Sequence, residues 1–240
     1  MRTTLSSVRA GVLFSGGKDS TYAAYLAKPN GDDLTCLITL SPKRSDSYMF
    51  HYPNVRWTAL QAKAMRLPQV TCETEGVKEE ERADMKKAIA LAKHDYSIQA
   101  VYTGALASVY QKSRVERICD ELGVKAVSPL WRIDQVAHLN NIIANSFEVI
   151  MTGVAALGLD ESWLGRPLDK GAVDELARLH EKFGVNPGLE GGEGETFVLD
   201  CPLFDRRIEV LSSKKHWRGD AGYLEILDAK LVAKALTNRN

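Results

Sequence analysis

The chain has 240 residues, 45% of them hydrophobic, which is enough for a buried core in one large domain or in two smaller ones. Thirty-one basic and thirty-one acidic residues give a formal net charge of zero, so no overall charge attracts nucleic acid or an anionic membrane. The four cysteines form no CxxC pair, which argues against zinc and fits reduced thiols in the cytoplasm, and no apolar run approaches the ~20 residues of a membrane span.

Residues 12 to 21 read VLFSGGKDST, an apolar stretch followed by a glycine-rich turn. This pattern predicts a strand that leads directly into a helix. Gly16 and Gly17 allow consecutive N–H groups to converge on an anion, and the helix N-terminus adds positive potential there. An ordinary structural turn, the alternative, would need fewer polar side chains than this segment carries. The turn therefore predicts a pyrophosphate site, with polar groups from Ser15, Lys18, Asp19 and Ser20.

The elements that follow alternate between short apolar runs and helical patterns, which predicts a doubly wound parallel α/β sheet. With the strand order 3-2-1-4-5, the first and fourth strands are neighbours, and ligands are expected at their carboxyl ends. Those ends are Ser15 and Gly104, so we expect both at one crevice. The predicted strands lie near 8–14, 34–40, 69–73, 98–103 and 124–128, and the helices near 18–28, 56–66, 78–94 and 112–122.

A second, smaller α+β lobe is predicted towards the C-terminus, where the alternation becomes less regular. Its expected elements are a helix that ends near residue 145, a strand at 147–151, a helix near 171–183, an acidic glycine-rich loop at 190–196, and a hairpin of strands near 206–211 and 223–228. We place the domain boundary so that residues 1–135 bind ATP and residues 136–240 bind the substrate.

The turn also matches the pattern SGGxDS, and several later segments fit one family in the same order along the chain. On these residues the sequence resembles the diphthine-ammonia ligases of the PP-loop (N-type ATP pyrophosphatase) superfamily, whose fold is HUP-like. Ala105 and Gly194 depart from it, because some members carry an acidic residue at the first position and an aromatic residue at the second. The matching segments are 15–20, 107–119, 122–123, 129–131, 161–166, 190–197 and 200–202.

The resemblance implies a ligase that forms a C–N bond. Its reaction would be the ATP-dependent amidation of diphthine, a modified histidine of translation elongation factor 2, to diphthamide. The carboxylate would first be adenylated, with release of AMP and pyrophosphate over the whole reaction. Free ammonia is the expected nitrogen donor, because residue 2 is arginine rather than cysteine and 240 residues leave no obvious room for a glutaminase domain. The expected location is the cytoplasm.

The same resemblance implies ATP and Mg²⁺ as cofactors and assigns roles to particular residues. Asp19 is the expected Mg²⁺ ligand, although a first-turn aspartate also stabilises a helix dipole. The expected catalytic residues are Lys18, Asp19, Glu193 and Glu195. The expected nucleotide-binding residues are Ser15, Gly16, Gly17, Lys18, Asp19, Ser20 and Gly104. The expected substrate-binding residues are Tyr110, Gln111, Arg114, Glu116, Glu190 and Thr196.

Simpler interpretations stay open at two places. Glutamates at 190, 193 and 195 are also compatible with a solvated acidic loop, and Arg114 with Glu116 is compatible with a surface ion pair.

Two other functions also stay open: a PP-loop enzyme that modifies tRNA, which balanced charge and scattered cysteines disfavour, and an ATP-binding module without catalysis. A homo-oligomer is compatible with the sequence.

Overall fold

The computed structural model describes residues 7–42, 54–74 and 80–234, which form two compact units. We name the units by their sheets. The parallel-sheet unit contains residues 7–15, 19–42, 67–74 and 80–132, and the antiparallel-sheet unit contains residues 16–18, 54–66 and 133–234. The functional boundary proposed at residue 135 stays a prediction, because the units describe packing and not ligand binding.

The five strands described in the first unit form a parallel sheet in the order β3-β2-β1-β4-β5, which confirms the predicted fold class and strand order. The strands are β1 (Arg9–Leu13), β2 (Asp33–Pro42), β3 (Gln69–Thr74), β4 (Ala100–Tyr102) and β5 (Lys125–Val127). The associated helices are α1 (Lys18–Ala27), α3 (Glu80–Tyr96) and α4 (Val109–Leu122).

Burial explains why these strands read as continuous apolar runs. Parallel strands covered by helices lose contact with water on both faces, and Ile38 and Val101 are at most 1% exposed. Ile89 of α3 and Ile118 of α4 belong to the same apolar cluster. Helix α4 starts at residue 109 rather than at the predicted 112, because the Ser108 hydroxyl accepts a hydrogen bond from the main chain and caps the helix.

The second unit contains α2 (Thr58–Met65), α5 (Gln135–Ala144) and α6 (Lys170–Phe183) beside an antiparallel sheet. Its described strands are β6 (Glu148–Val154), β7 (Gly194–Asp200), β8 (Arg206–Arg218) and β9 (Ala221–Ala233). They pair in the order β7-β6-β9-β8, so β7 is an edge strand. The predicted C-terminal α+β lobe is thus confirmed.

Two details of this lobe differ from the prediction. The acidic segment expected as one loop is a short 3₁₀ turn at Glu190–Gly192 followed by β7, because residues 194–200 pair with β6. The hairpin is also longer than predicted, since β8 and β9 remain paired through the polar run 212–218. Among the helices described, none has the length and apolar character of a membrane span.

Candidate functional site

The glycine-rich turn is shared between the two units. Residues 16–18 belong to the antiparallel-sheet unit, whereas Ser15 and Asp19 on either side belong to the parallel-sheet unit. Gly16 has φ +82°, a conformation that favours glycine. The two groups of residues are therefore described separately.

Lys18 forms hydrogen bonds through both its main chain and its side chain within the antiparallel-sheet unit. Its main-chain N–H donates to Thr196 Oγ1 at 3.1 Å, and its Nζ donates to the carbonyl oxygen of Gly188 at 2.6 Å. The residue is only 3% exposed, so its charge lies in a poorly solvated environment. Thr196 thus contacts the main chain of the predicted anion-binding turn, a link that the sequence did not reveal.

The carbonyl group of Gly16 is fixed from two sides. It accepts one hydrogen bond from the N–H of Val198 at 3.0 Å and another from Gln61 Nε2 at 2.9 Å. Sequence reasoning missed Gln61, although a signal was present: a glutamine stands among the apolar residues of the predicted helix at 56–66. Its side chain is completely buried.

The flanking residues of the turn meet in the parallel-sheet unit. The N–H of Ser15 donates to Ser20 Oγ at 3.3 Å, and the two hydroxyl oxygens are 3.1 Å apart. Gly104 contacts the start of α1 so closely that a Cβ atom there would lie 2.6 Å from the carbonyl carbon of Asp19. The carboxyl ends of β1 and β4 are therefore adjacent, as the strand order requires.

Helix α4 presents the other residues that the resemblance singled out in this unit. Tyr110 and Gln111 are exposed, and Arg114 stacks over the Tyr110 ring at 5.0 Å while Nη1 donates to the Tyr110 hydroxyl at 3.0 Å. Glu116 forms an ion pair with Lys112. Arg114 and Glu116 thus each have a charged or aromatic neighbour within α4.

The acidic residues of the antiparallel-sheet unit occupy different positions. Glu190 lies in the 3₁₀ turn, whereas Glu195 lies on β7 opposite Gly153 of β6. Glu193 Oε2 accepts a hydrogen bond from the N–H of Asn186 at 2.5 Å. All three glutamates are partly buried, which is less solvation than a free acidic loop would have.

The described side chains were considered as possible ligands for a metal ion. No group of three or more His, Cys, Asp or Glu side chains within the described ranges could hold a metal ion. Mg²⁺ bound through phosphate oxygens needs only one or two protein carboxylates, so the partly buried Asp19 in the first turn of α1 fits that ion.

Burial raises the pKa of the Cys36 thiol to about 11 and those of Cys119 and Cys201 to about 12, which keeps these three thiols protonated.

Comparison with known proteins places this arrangement in a family. The model of the diphthamide synthase N-terminal domain matches residues 8–126, and that of the C-terminal domain matches residues 134–232. A curated diphthine-ammonia ligase of Bos taurus is 35% identical over 229 residues, which cover 86% of this chain and 84% of that protein. The chain belongs to the diphthine-ammonia ligase family. Family membership identifies it as an enzyme of the ligase class and confirms the resemblance seen in the sequence.

Other relatives differ in how much of their length is matched. The Homo sapiens diphthine-ammonia ligase is 34% identical, with 84% of its length covered. The Schizosaccharomyces pombe ligase is 36% identical over 234 residues, but this chain spans only 38% of it. A solved structure described as a predicted subunit of tRNA methyltransferase from Methanocaldococcus jannaschii matches with a TM-score of 0.44 and 21% identity, over 81% of this chain and 98% of that one.

The two departures from the ligase family, Gly194 and Ala105, lie in closely packed or buried surroundings. A Cβ atom at Gly194 would lie 3.0 Å from Leu189 Cδ2 and 3.2 Å from the Gly153 carbonyl oxygen, so an aromatic side chain requires a local shift. Ala105 is 6% exposed, and an acidic side chain at this position would be buried. A larger residue at Gly194 would thus need space, and an acidic residue at Ala105 would need a buried partner.

Proposed function

We propose that this chain catalyses the ATP-dependent amidation of diphthine on translation elongation factor 2, with ammonia as the nitrogen donor. The observation that carries the proposal is the SGGKDS turn with its buried Lys18, in a chain whose relatives are named diphthine-ammonia ligases over most of its length. We place the reaction in the cytoplasm, where translation occurs.

The proposed reaction has two steps because a carboxylate is a poor acceptor for ammonia. The carboxylate oxygen of diphthine attacks the α-phosphorus of ATP, the bond from that phosphorus to the bridging oxygen breaks, and pyrophosphate leaves with the electron pair. Ammonia then attacks the acyl carbon, AMP leaves, and the nitrogen loses a proton to give the amide. The first step develops negative charge on pyrophosphate, and the second on AMP.

The turn from Ser15 to Ser20 is the proposed site for the leaving pyrophosphate. Its glycines, the N-terminus of α1 and the ammonium group of Lys18 all favour an anion. A buried ammonium interacts more strongly with phosphate than an exposed one, because less water screens the charge. We assign Lys18 to charge stabilisation, and Ser15, Gly16, Gly17, Ser20 and Gly104 to binding of the nucleotide.

Asp19 is the proposed protein ligand for Mg²⁺. Its carboxylate oxygens would hold the ion, and Mg²⁺ would supply charge neutralisation at the phosphate groups. The carboxylate itself keeps a second role, since it stands in the first turn of α1 and complements the helix dipole.

The remaining residues are proposed to act on the protein substrate and on ammonia. Glu193 and Glu195 are assigned to catalysis, because their partial burial suits groups that position ammonia or bind a cationic substrate better than free solvation does. Further contacts to the modified histidine and its surroundings are assigned to Tyr110, Gln111, Arg114, Glu116, Glu190 and Thr196.

The test measures AMP and pyrophosphate released from ATP, Mg²⁺ and ammonium, with and without elongation factor 2 that carries unamidated diphthine. Mass spectrometry of the factor should show conversion of the carboxylate to an amide, with one AMP per amide. Lys18→Ala should abolish both products. Cleavage of ATP without modification of the factor would direct the test to tRNA, and binding of ATP without cleavage under every condition would favour a non-catalytic module.

A further inference from the structure

Gln61 is a buried amide that contacts the glycine-rich turn and the edge strand at the same time. Its Nε2 atom donates to the carbonyl oxygen of Gly16 at 2.9 Å and to the carbonyl oxygen of Val198 at 2.8 Å. Two carbonyl oxygens around one atom require that atom to be the nitrogen, because an oxygen there would donate to neither. The side chain therefore has one orientation, set by both partners.

These contacts fix the plane of the peptide bond between Gly16 and Gly17. The Gly16 carbonyl also accepts from the N–H of Val198 at 3.0 Å, so two donors hold it on the side of β7 and α2. In a trans peptide the C=O and the next N–H point in opposite directions. The N–H of Gly17 is therefore directed away from Gln61, and its direction depends on the donors that hold Gly16.

The amide oxygen of Gln61 does not stabilise the fold as the amide nitrogen does. Gln61 Oε1 is buried and has no hydrogen-bond partner among the residues that the structure describes, an arrangement that lowers the stability of a folded protein. A Cβ atom at Gly16 would lie 2.3 Å from Oε1, so the amide fills the space that a larger residue would need. An apolar side chain would fill this space without an unsatisfied oxygen, which indicates that the amide serves the turn and not the core.

We propose that Gln61 is a positioning residue, which orients the Gly16–Gly17 peptide so that the N–H of Gly17 faces the phosphate groups of the nucleotide. The proposal rests on the proposed function, because it takes the turn as the phosphate site. Gln61 itself does not contact the ligand. It acts by holding a flexible glycine pair in the conformation that binds an anion, which lowers the entropic cost of binding.

Asn54 provides a matched control in the same unit. It is also a buried amide, and it also binds main-chain groups on both sides: Nδ2 donates to Leu224 O at 2.8 Å, and Oδ1 accepts from Ile226 N at 2.9 Å. Its partners lie on β9 and not in the turn. Gln61→Met and Asn54→Leu each remove a buried amide at nearly constant volume, so both reduce stability but only the first releases Gly16.

The experiment compares the whole chain with both variants by hydrogen–deuterium exchange of residues 14–20 and by calorimetric titration with inorganic pyrophosphate and with ATP. We expect Gln61→Met to speed exchange at Gly17 and to raise both dissociation constants at least tenfold, whereas Asn54→Leu leaves them within twofold of the wild type. Gln61→Ala, which introduces no misplaced side chain, should behave as Gln61→Met does and serves if the latter does not fold.

The outcomes separate the two proposals. Unchanged exchange and unchanged affinity in the Gln61 variants would overturn the positioning role, as would equal losses in Asn54→Leu. If the wild type binds neither pyrophosphate nor ATP, the proposed function fails. The exchange measurement would still show in that case whether Gln61 orders the turn.

Discussion

The Nζ atom of Lys18 lies 2.6 Å from the carbonyl oxygen of Gly188, and the lysine is 3% exposed. A phosphate oxygen carries more negative charge than a main-chain carbonyl oxygen, so it would attract the ammonium group more strongly. Both residues belong to the antiparallel-sheet unit. The buried ammonium group of Lys18 is therefore suited to bind a phosphate oxygen.

Replacement of this lysine should separate activity from stability. In Lys18→Met, loss of the buried charge and loss of a donor to Gly188 oppose each other, so the free energy of unfolding should change by no more than about 2 kcal/mol. ATP-dependent release of pyrophosphate should fall at least about 100-fold, because charge stabilisation is lost in the transition state. The exposed Lys28→Met is the control and should match the wild type in both assays. Unimpaired release from Lys18→Met would contradict its assigned role.

The hydroxyl group of Thr196 should support pyrophosphate binding through its hydrogen bond with the Lys18 N–H. Thr196→Val keeps the shape but removes the acceptor of the Lys18 N–H, so unfolding should become easier by about 1–2 kcal/mol and pyrophosphate should bind more weakly. Thr196→Ser retains the acceptor and should restore affinity. Thermal unfolding and calorimetric titration measure the two effects. Equal affinity of the valine and serine variants would show that the hydroxyl group does not support the turn.

Gly104 should tolerate no side chain. Its Cβ would lie 2.6 Å from main-chain atoms that cannot move independently of α1, so Gly104→Ala should reduce stability by about 1–3 kcal/mol and weaken ATP binding. Gly171→Ala is the comparison, because the nearest atom to its Cβ is the side-chain Oδ1 of Asp169 at 3.4 Å and alanine favours the helix. Thermal unfolding should therefore distinguish two chemically identical substitutions. A Gly104→Ala variant as stable as Gly171→Ala would contradict the close packing at the start of α1.

Glu193 allows its structural and chemical roles to be distinguished. Glu193→Gln retains an oxygen that accepts from the Asn186 N–H, and stability should stay within about 1 kcal/mol of the wild type. If the charge acts on ammonia or on the substrate, the rate of amide formation should fall at least about tenfold. Glu193→Ala should lose both properties. A Glu193→Gln variant that forms the amide at the wild-type rate would show that Glu193 only stabilises the loop.

The cysteines should differ in reactivity. Burial raises the pKa of Cys36 to about 11 and those of Cys119 and Cys201 to about 12, so at pH 8 at most about one molecule in a thousand carries a thiolate at any of them. Cys72 is partly exposed on β3. Titration of the native protein with an aromatic disulfide should therefore modify one thiol, and Cys72→Ser should modify none. Fast reaction of two or more thiols before unfolding would show that the buried ones are accessible.

Sequence patterns predicted the parallel sheet well because its strands are buried on both faces and its glycine turn has a distinctive composition. They failed for β7, where Gly194 and the glutamates are typical of a loop. Pairing with β6 decides the conformation there, and no local signal reports that pairing. The length of the hairpin was missed for a related reason: residues 212–218 are mostly exposed and polar, so the alternation that marks a half-buried strand is absent.

The candidate site was predictable where one segment supplies it. Residues 15–20 could be identified from their composition alone. The partners of Lys18 could not, because Gly188 contributes only a carbonyl group and Thr196 lies 178 residues away in the chain. A sequence does not show which main-chain groups will form hydrogen bonds. A side chain as distant as that of Thr196 comes into contact with Lys18 only through the fold.

The edge position of β7 has a consequence for solubility. An edge strand exposes main-chain donors and acceptors that can pair with a strand of another molecule. At Val198 the N–H donates to the Gly16 carbonyl oxygen, and the carbonyl oxygen accepts from Gln61 Nε2. The turn and helix α2 therefore cover the edge of the sheet at this residue. Substitutions that release the turn would therefore expose these main-chain groups and allow a strand of another molecule to pair with β7.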